Sequence, residues 1–255
     1  MKVSLITVTY NAGTYLADCI NSVISQQYSN IEYIIVDGGS TDNTVSIIKS
    51  YEKNITRWVS EHDDGMYDAI NKGIKMATGD VIGILNSDDI FASNDVVSAI
   101  ASCFEDPHLD AVYGDLVYIN KTNTSIIRFW EGLSYNRSRF TYGWMPAHPT
   151  FYLRRELINE YGGYHSHYIT AADYEFMARY LYRYRISAQY LPKLIVRMRV
   201  GGLSNVNLKS RLRANRRDYL AMKNNNIPFP FLASILKPVI KLPQYYYTLF
   251  KKVVS

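Results

Sequence analysis

Four short apolar runs in the first half of the chain each close on a cluster of acids, glycines and small polar residues. Val3–Thr9 leads into Tyr10-Asn11-Ala12, and residues 31–36 lead into Asp37-Gly38-Gly39-Ser40-Thr41-Asp42. Arg57–Ser60 leads into Glu61-His62-Asp63-Asp64-Gly65, and residues 81–85 into Asn86-Ser87-Asp88-Asp89. Between the runs the spacing turns helical. Leu16, Cys19, Ile20, Val23 and Ile24 keep one face over 11–25. Val45, Ile48 and Tyr51 do so in a second helix, which Ser40 is placed to cap. Residues 69–77, closed by Thr78-Gly79, and residues 93–104 read as two more. Strand and helix in this rhythm build an α/β fold: a mostly parallel central sheet flanked by helices. Ligands of such sheets bind beyond the carboxyl ends of the strands. One acidic cluster is ordinary turn chemistry. Four on one rim describe a site.

The last cluster is the most telling. Neighbouring carboxylates at a buried strand end need a cation or a set of donors to compensate them. Oxygen-only ligands suit Mn²⁺ or Mg²⁺, which commonly join one or two carboxylates to substrate phosphates. The competing reading makes Asp88 the cap of the next helix and puts Asp89 in its first turn. No G-x-x-x-x-G-K-[ST] and no G-x-G-x-x-G occurs, which disfavours P-loop and nicotinamide-type dinucleotide sites. Asp37 is placed to accept from a nucleobase or ribose, and Gly38 permits close backbone approach.

The second half is more mixed. Ala111–Ile119, 150–153 and 186–196 read as strands, and 173–184 as a helix. Residues 207–224 form a basic helical stretch, and Pro228, Pro230, Pro238 and Pro243 interrupt the tail beyond it. Hydrophobic content of 47% over 255 residues describes a globular chain with a substantial core. Cys19 and Cys103 each sit on an apolar helical face and read as buried free thiols. The chain runs from Met1 straight into a strand and shows no spanning apolar stretch, so the expectation is a cytoplasmic protein.

Charge is split along the chain. Residues 197–255 hold 12 Lys and Arg against Asp218 alone, a net of +11, on an acidic remainder. The 23 tyrosines concentrate in the second half. The tail mixes Phe229, Phe231, Leu232, Ile235, Tyr245, Tyr246, Tyr247, Leu249 and Phe250 with Lys237, Lys241, Lys251 and Lys252. That mixture fits a segment lying on an anionic membrane; the alternative is an extension packed on the core or on a second subunit. Nucleic acid is disfavoured, because no binding module accompanies the charge.

Thr7-Val8-Thr9-Tyr10-Asn11, residues 36–44 (Val-Asp-Gly-Gly-Ser-Thr-Asp-Asn-Thr), Ala77-Thr78-Gly79-Asp80 and Leu85-Asn86-Ser87-Asp88-Asp89 together resemble glycosyltransferase family 2, of GT-A (Rossmann-like) fold. The stretch Asp64-Gly65-Met66-Tyr67-Asp68-Ala69-Ile70-Asn71-Lys72-Gly73 is similar to enzymes that build bacterial O-antigens, capsules and exopolysaccharides. The resemblance covers about residues 1–205. It implies a nucleotide-binding half (1–105), an acceptor-binding half (106–205) and a basic aromatic extension (206–255).

By that resemblance Thr9, Tyr10, Asn11, Asp37, Gly38, Asp64, Lys72, Asn86 and Ser87 bind a nucleotide-sugar, Asp37 at the base. Asp88 is the last position of a metal-binding D-x-D-like motif and Asp89 a helper. Asn86 departs from that motif, standing where the first acid is expected. Asp173 matches the family's general base; read without the family it is an acid favoured by a helix N-terminus. His148, Arg197 and Arg199 are candidates for the acceptor or diphosphate side, and Gly201-Gly202-Leu203-Ser204 resembles the family's mobile loop. The implied activity is inverting transfer of a sugar, UDP-linked, to a hydroxyl of a polyprenyl-diphosphate-linked glycan at the inner face of the membrane, with Mn²⁺ or Mg²⁺. Two other readings stay open: nucleotidyl or phosphoryl transfer by the same carboxylate-bound metal, and a non-catalytic glycan- or nucleotide-binding protein.

Overall fold

A computed structural model describes residues 1–201 and 208–244, with residues 208–212 described by their backbone alone. Gly202, Leu203 and Ser204, and Tyr245, Tyr246, Tyr247, Leu249, Phe250, Lys251 and Lys252, lie outside the described residues. The elements run β1 (Val3–Thr9), α1 (Leu16–Ile24), β2 (Ile31–Asp37), α2 (Thr44–Ser50), β3 (Arg57–Ser60), α3 (Met66–Met76), β4 (Val81–Ile84), β5 (Ile90–Phe91), α4 (Val96–Cys103) and β6 (Ala111–Ile119). Then come β7 (Ile126–Trp130), β8 (Tyr152–Arg154), α5 (Arg155–Tyr161), α6 (Ala172–Met177), β9 (Ala188–Arg199), α7 (Leu208–Asn224) and α8 (Pro230–Val239).

The strands form one sheet in the order β3-β2-β1-β4-β8-β6-β9-β5, with β7 added beside β6. The first four are parallel, and their register sets Thr9 opposite Asp37 and Asp37 opposite Ser60. The clusters after β1, β2 and β3 therefore do meet on one rim, and the turn after β4 joins them because Ile84 pairs with Ile6. Beyond β4 the sheet is mixed: β8 runs antiparallel to both neighbours, and β6 pairs parallel with β9. At that change of direction Gly83 pairs with Tyr152. A Cβ there would enter the Tyr152 ring, which packs against β4 and belongs to the one core that the halves share.

The other end of the parallel strands is locked by Glu32. Its buried carboxylate accepts from Lys2 Nζ (3.0 Å), Ser4 Oγ (2.6 Å), and both Thr78 N–H and Oγ1 (2.7 Å each). Asp80 Oδ2 accepts from the Lys2 amide. The Thr78-Gly79-Asp80 motif therefore braces strand starts, far along the strands from the rim.

Several expectations are corrected. Ser40 does not cap α2: its hydroxyl donates to Asp37, while Asp42 accepts from the Thr44 amide and hydroxyl. Asp88 and Asp89 do not open a helix, because β5 comes at once and α4 starts only at Val96. β5, β7, α5 and α8 are additions. The expected helix over 173–184 is α6 continued by a π-helix over Ala178–Tyr184. The described part of the extension packs back on the domain: Ala221, Met222, Ile227 and Ala233 enter the main core. Among the described residues no helix is long and apolar enough to cross a membrane. Both thiols are free, Cys19 buried and Cys103 half-buried.

Candidate active site

One side of the rim is assembled from the loops after β1, β2 and β3. Asp37 is fully buried and accepts from the Ser40 amide (3.0 Å), the Ser40 hydroxyl (2.5 Å) and the Ser60 hydroxyl (2.6 Å). Three donors hold that carboxylate in one orientation. Asn11, at positive φ, ties the first loop to the second: its amide donates to Ser40 Oγ and its Oδ1 accepts from Thr41 N–H. Thr9 is buried with its hydroxyl unpaired among the described residues, and Tyr10 lies open on the surface.

Two neighbouring acids separate here. A Cβ on Gly38 would stand 2.5 Å from Asp63 Oδ2 and 3.4 Å from the Tyr10 ring, so Gly38, Asp63 and Tyr10 meet at one point. Asp64 is exposed, and its main-chain N–H donates to Asp68. The residue brought to the rim is Asp63, which the sequence reading passed over for Asp64. The only signal that could have separated them is the lack of side chain at Gly38. Lys72 donates to the His62 carbonyl at 2.7 Å and pairs with Glu61 and Asp68. It holds the 61–68 loop in place.

The turn after β4 carries Asn86, Ser87, Asp88 and Asp89. Asp89 is fully buried, and its Oδ2 accepts from Asn86 Nδ2 at 2.9 Å. It braces Asn86 from beneath the rim and does not open to it. Burial, with the Asp88 charge next, holds the Asp89 carboxyl well above the usual carboxylate range. Asp88 is half-buried; burial raises its carboxyl, against its own backbone and the Arg199 charge. Arg199, buried at the end of β9, donates to the Asp88 carbonyl (2.9 Å) and to Asp18 Oδ2 (2.6 Å), with Tyr15 stacked on its guanidinium at 4.7 Å. Arg197 is engaged elsewhere, donating to Asn123 Oδ1 at 3.0 Å. Cys19 lies under the turn, its thiol donating to the Asn86 carbonyl; burial pushes that thiol up to about 12, so it is inert.

Among the described residues no group of three or more His, Cys, Asp or Glu gathers to hold a metal. The donor set nevertheless fits a hard cation that takes most of its ligands from a diphosphate. Asp88 is a partly open carboxylate disfavoured by burial, and Asn86 offers a neutral oxygen.

The mixed half of the sheet and its helices close the other side. Asp173 opens α6, its Oδ1 accepting from the Tyr174 amide at 2.7 Å. Around it stand His148, Tyr67 and Tyr164, whose titrations all feel its charge. His148 is buried and bonded through Nε2 to the Tyr164 hydroxyl at 2.7 Å; burial pulls its imidazole down, and Asp173 opposes that. Tyr67, Tyr164 and Phe176 stack in series, with centroids 5.6 and 4.1 Å apart. Asn71 fixes this wall to α3, donating to the Tyr164 carbonyl and accepting from its amide at 2.8 Å each. Tyr67, Asn71 and Tyr164 were not predicted as site residues. Tyr67 and Asn71 lie in the quoted 64–73 motif.

Comparison with known proteins agrees with this architecture. The model of "Glycosyl transferase family 2" matches residues 4–170. A "PGL/p-HBAD biosynthesis glycosyltransferase" of Mycobacterium bovis is 30% identical over 207 residues, 79% of this chain and 78% of the relative. S. aureus TarS 1–349 in complex with UDP-GlcNAc superimposes with a TM-score of 0.68 at 20% identity, over 98% of this chain and 80% of that one. In another structure of S. aureus TarS the match covers 99% of this chain and 44% of that one. A mannosyltransferase of Pyrobaculum calidifontis, in complex with GDP-Man and Mn²⁺, gives 0.66 at 18% identity, over 97% of this chain and 74% of that one. A parallel half with an acid-lined rim, a mixed half that closes it, and these likenesses lead to one assignment: the chain belongs to glycosyl transferase family 2 and is a glycosyltransferase of GT-A-like α/β fold.

Proposed function

We propose that the enzyme is inverting and passes a sugar from a UDP-linked donor to a hydroxyl of a polyprenyl-diphosphate-linked glycan, in the assembly of a surface polysaccharide. The observation that carries this reading is the division of labour among the acids. Asp37, Asp63 and Asp88 belong to the strand rim, whereas Asp173 stands among the aromatic groups of the acceptor half. Inversion needs both kinds. The acceptor oxygen attacks the anomeric carbon as the bond to the diphosphate breaks, and a carboxylate takes the hydroxyl proton. Asp173 fits that task, since Oδ1 is held by the Tyr174 amide and no partner among the described residues occupies Oδ2. Asp37 would accept from the base and ribose, and Asp63, beside Gly38, would contact the nucleotide. Asp88, with the Asn86 oxygen, would hold Mn²⁺ or Mg²⁺; such a cation supplies charge neutralisation of the departing diphosphate. TarS in complex with UDP-GlcNAc and the Pyrobaculum mannosyltransferase in complex with GDP-Man both support a nucleotide-sugar donor, of which we take the UDP-linked kind. A lipid-linked acceptor implies work at the cytoplasmic face of the membrane, and Tyr67, the partly exposed end of the stack whose Tyr164 and Phe176 rings are buried, is the ring that could meet a sugar.

The test is Asp173→Asn. Loss of general-base help is expected to lower kcat by about 10²- to 10⁴-fold, while the thermal shift with UDP-sugar stays as in the wild type. Near-wild-type turnover would remove Asp173 from the role.

A further inference from the structure

Helix α8 is inside out. Its lysine goes in: Lys237 is buried, with Nζ 2.5 Å from Asp218 Oδ1 and 4.2 Å from the Tyr174 ring centroid. Just past the helix Lys241 also turns inward, 5.3 Å from the Trp130 ring centroid. Its apolar side chains go out. Phe231, Leu232, Ile235 and Val239 are exposed at helical spacing, Leu242 continues the row, and Phe229 precedes it. Phe229 and Phe231 are 76% and 70% exposed. Isolated apolar residues on a surface need no explanation, but a continuous row along one helix marks an interaction face.

We propose that this outer face of α8 inserts into the interface of an anionic lipid bilayer and holds the active site against it. The proposal rests on the reading of the acceptor as lipid-linked and gives it a docking surface. Three observations select a bilayer as the occupant. The first is charge: residues 197–255 carry a net of +11, and although Arg199, Lys237 and Lys241 turn inward, the packed neighbour α7 exposes Arg213, Arg216 and Lys223. Basic residues beside an apolar helix face are what an anionic leaflet attracts. The second is that a second copy seated on the same face would bring two α7 helices of like charge together, which opposes an isologous dimer. The third is location. The inner side of α8 packs on Tyr174, the residue after Asp173, and the Lys241 amine feels the Asp173 charge. A face anchored in lipid therefore stands beside the mouth that an acceptor would enter from the membrane.

The experiment is flotation of the full chain with vesicles of phosphatidylcholine alone or with phosphatidylglycerol at one part in four. It compares the wild type with Phe231→Glu/Ile235→Glu and Arg213→Glu/Arg216→Glu. The wild type is expected to float with the anionic vesicles and to stay in solution with the neutral ones. Each double variant should lose tenfold or more of the floated fraction. These side chains are exposed, so melting temperature and the thermal shift with UDP-sugar should match the wild type; failure of that shift in the wild type would instead count against the donor reading. A wild type that stays in solution with anionic vesicles overturns the proposal. So does undiminished flotation of the Phe231/Ile235 variant. Concentration-dependent dimers by sedimentation, abolished in that variant, would make a second copy the occupant and overturn it as well.

Discussion

Arg199 reaches from the end of β9 to the main-chain carbonyl of Asp88, 2.9 Å away, while the same guanidinium grips Asp18 of α1 at 2.6 Å. One side chain thus sets the height of the acidic turn against two other elements. Because it binds the carbonyl, the Asp88 carboxylate is left for other partners. A lysine keeps the charge but cannot reproduce the fork. Arg199→Lys should weaken UDP-sugar binding in the presence of Mn²⁺ about tenfold, the worth of one charge-assisted hydrogen bond. Calorimetric titration reads this directly; an unchanged Kd would leave Arg199 with a purely architectural part.

Gly38 and Asp63 give a sharper contrast. Gly38→Ala places a methyl 2.5 Å from Asp63 Oδ2, so the carboxylate must swing away. Donor affinity should fall about tenfold, since a misplaced charged hydrogen bond costs ~1.5 kcal/mol. Asp63→Asn should weaken the donor similarly, and Asp64→Asn should change it less than twofold. A larger effect at Asp64 than at Asp63 would return the nucleotide contact to Asp64.

His148 predicts a slope in stability with pH. Burial lowers its folded-state pKa below the ordinary 6.5. The unfolded chain therefore takes up the proton first as pH falls. The contribution is complete above 6.5 and is lost below it, by at most about 1.4 kcal/mol per pH unit. Urea unfolding at pH 7 and pH 5.5 should show this loss in the wild type, and a smaller one in His148→Asn. Equal losses would contradict the burial argument.

Glu32 acts in a more acidic window. Burial alone would raise its carboxyl, but the Ser4, Thr78 and Lys2 donors outweigh that and bring it from 4.5 to about 2. Its stabilisation is full above 4.5 and disappears as pH falls towards about 2. Glu32→Gln should cost about 2–4 kcal/mol at pH 7, since it disrupts a buried network. In chemical denaturation that cost should shrink as the pH approaches 2; a cost independent of pH would place it in packing instead.

The parallel half was legible because β-branched runs and strand-end clusters are local signals, and a parallel sheet gathers them by rule. Asp37 and Asp88 could be read that way. Asp63 could not be told from Asp64, because the choice depends on Gly38, which approaches from another strand. Thr78-Gly79-Asp80 shows the converse. It is a strong motif, yet its partners are Lys2, Ser4 and Glu32 at the closed end of the strands. β5, at two residues, is too short to carry a periodicity, and the tail's prolines concealed α8, whose Pro230 serves as a first-turn residue. The inversion of α8 was equally hidden, since one Lys among apolar residues does not say which face looks inward.

The reciprocal bonds between Asn71 and Tyr164 have a consequence for how such enzymes can diversify. Asn71 engages only main-chain atoms of residue 164, so the joint is blind to the side chain there. It does constrain residue 163, where any Cβ would collide with the Asn71 amide oxygen. Exchanging acceptor loops between relatives should therefore succeed where the Asn and the Gly are both retained and fail where either is lost. A chimera could then take on a new loop beyond Gly163 without rebuilding its parallel half.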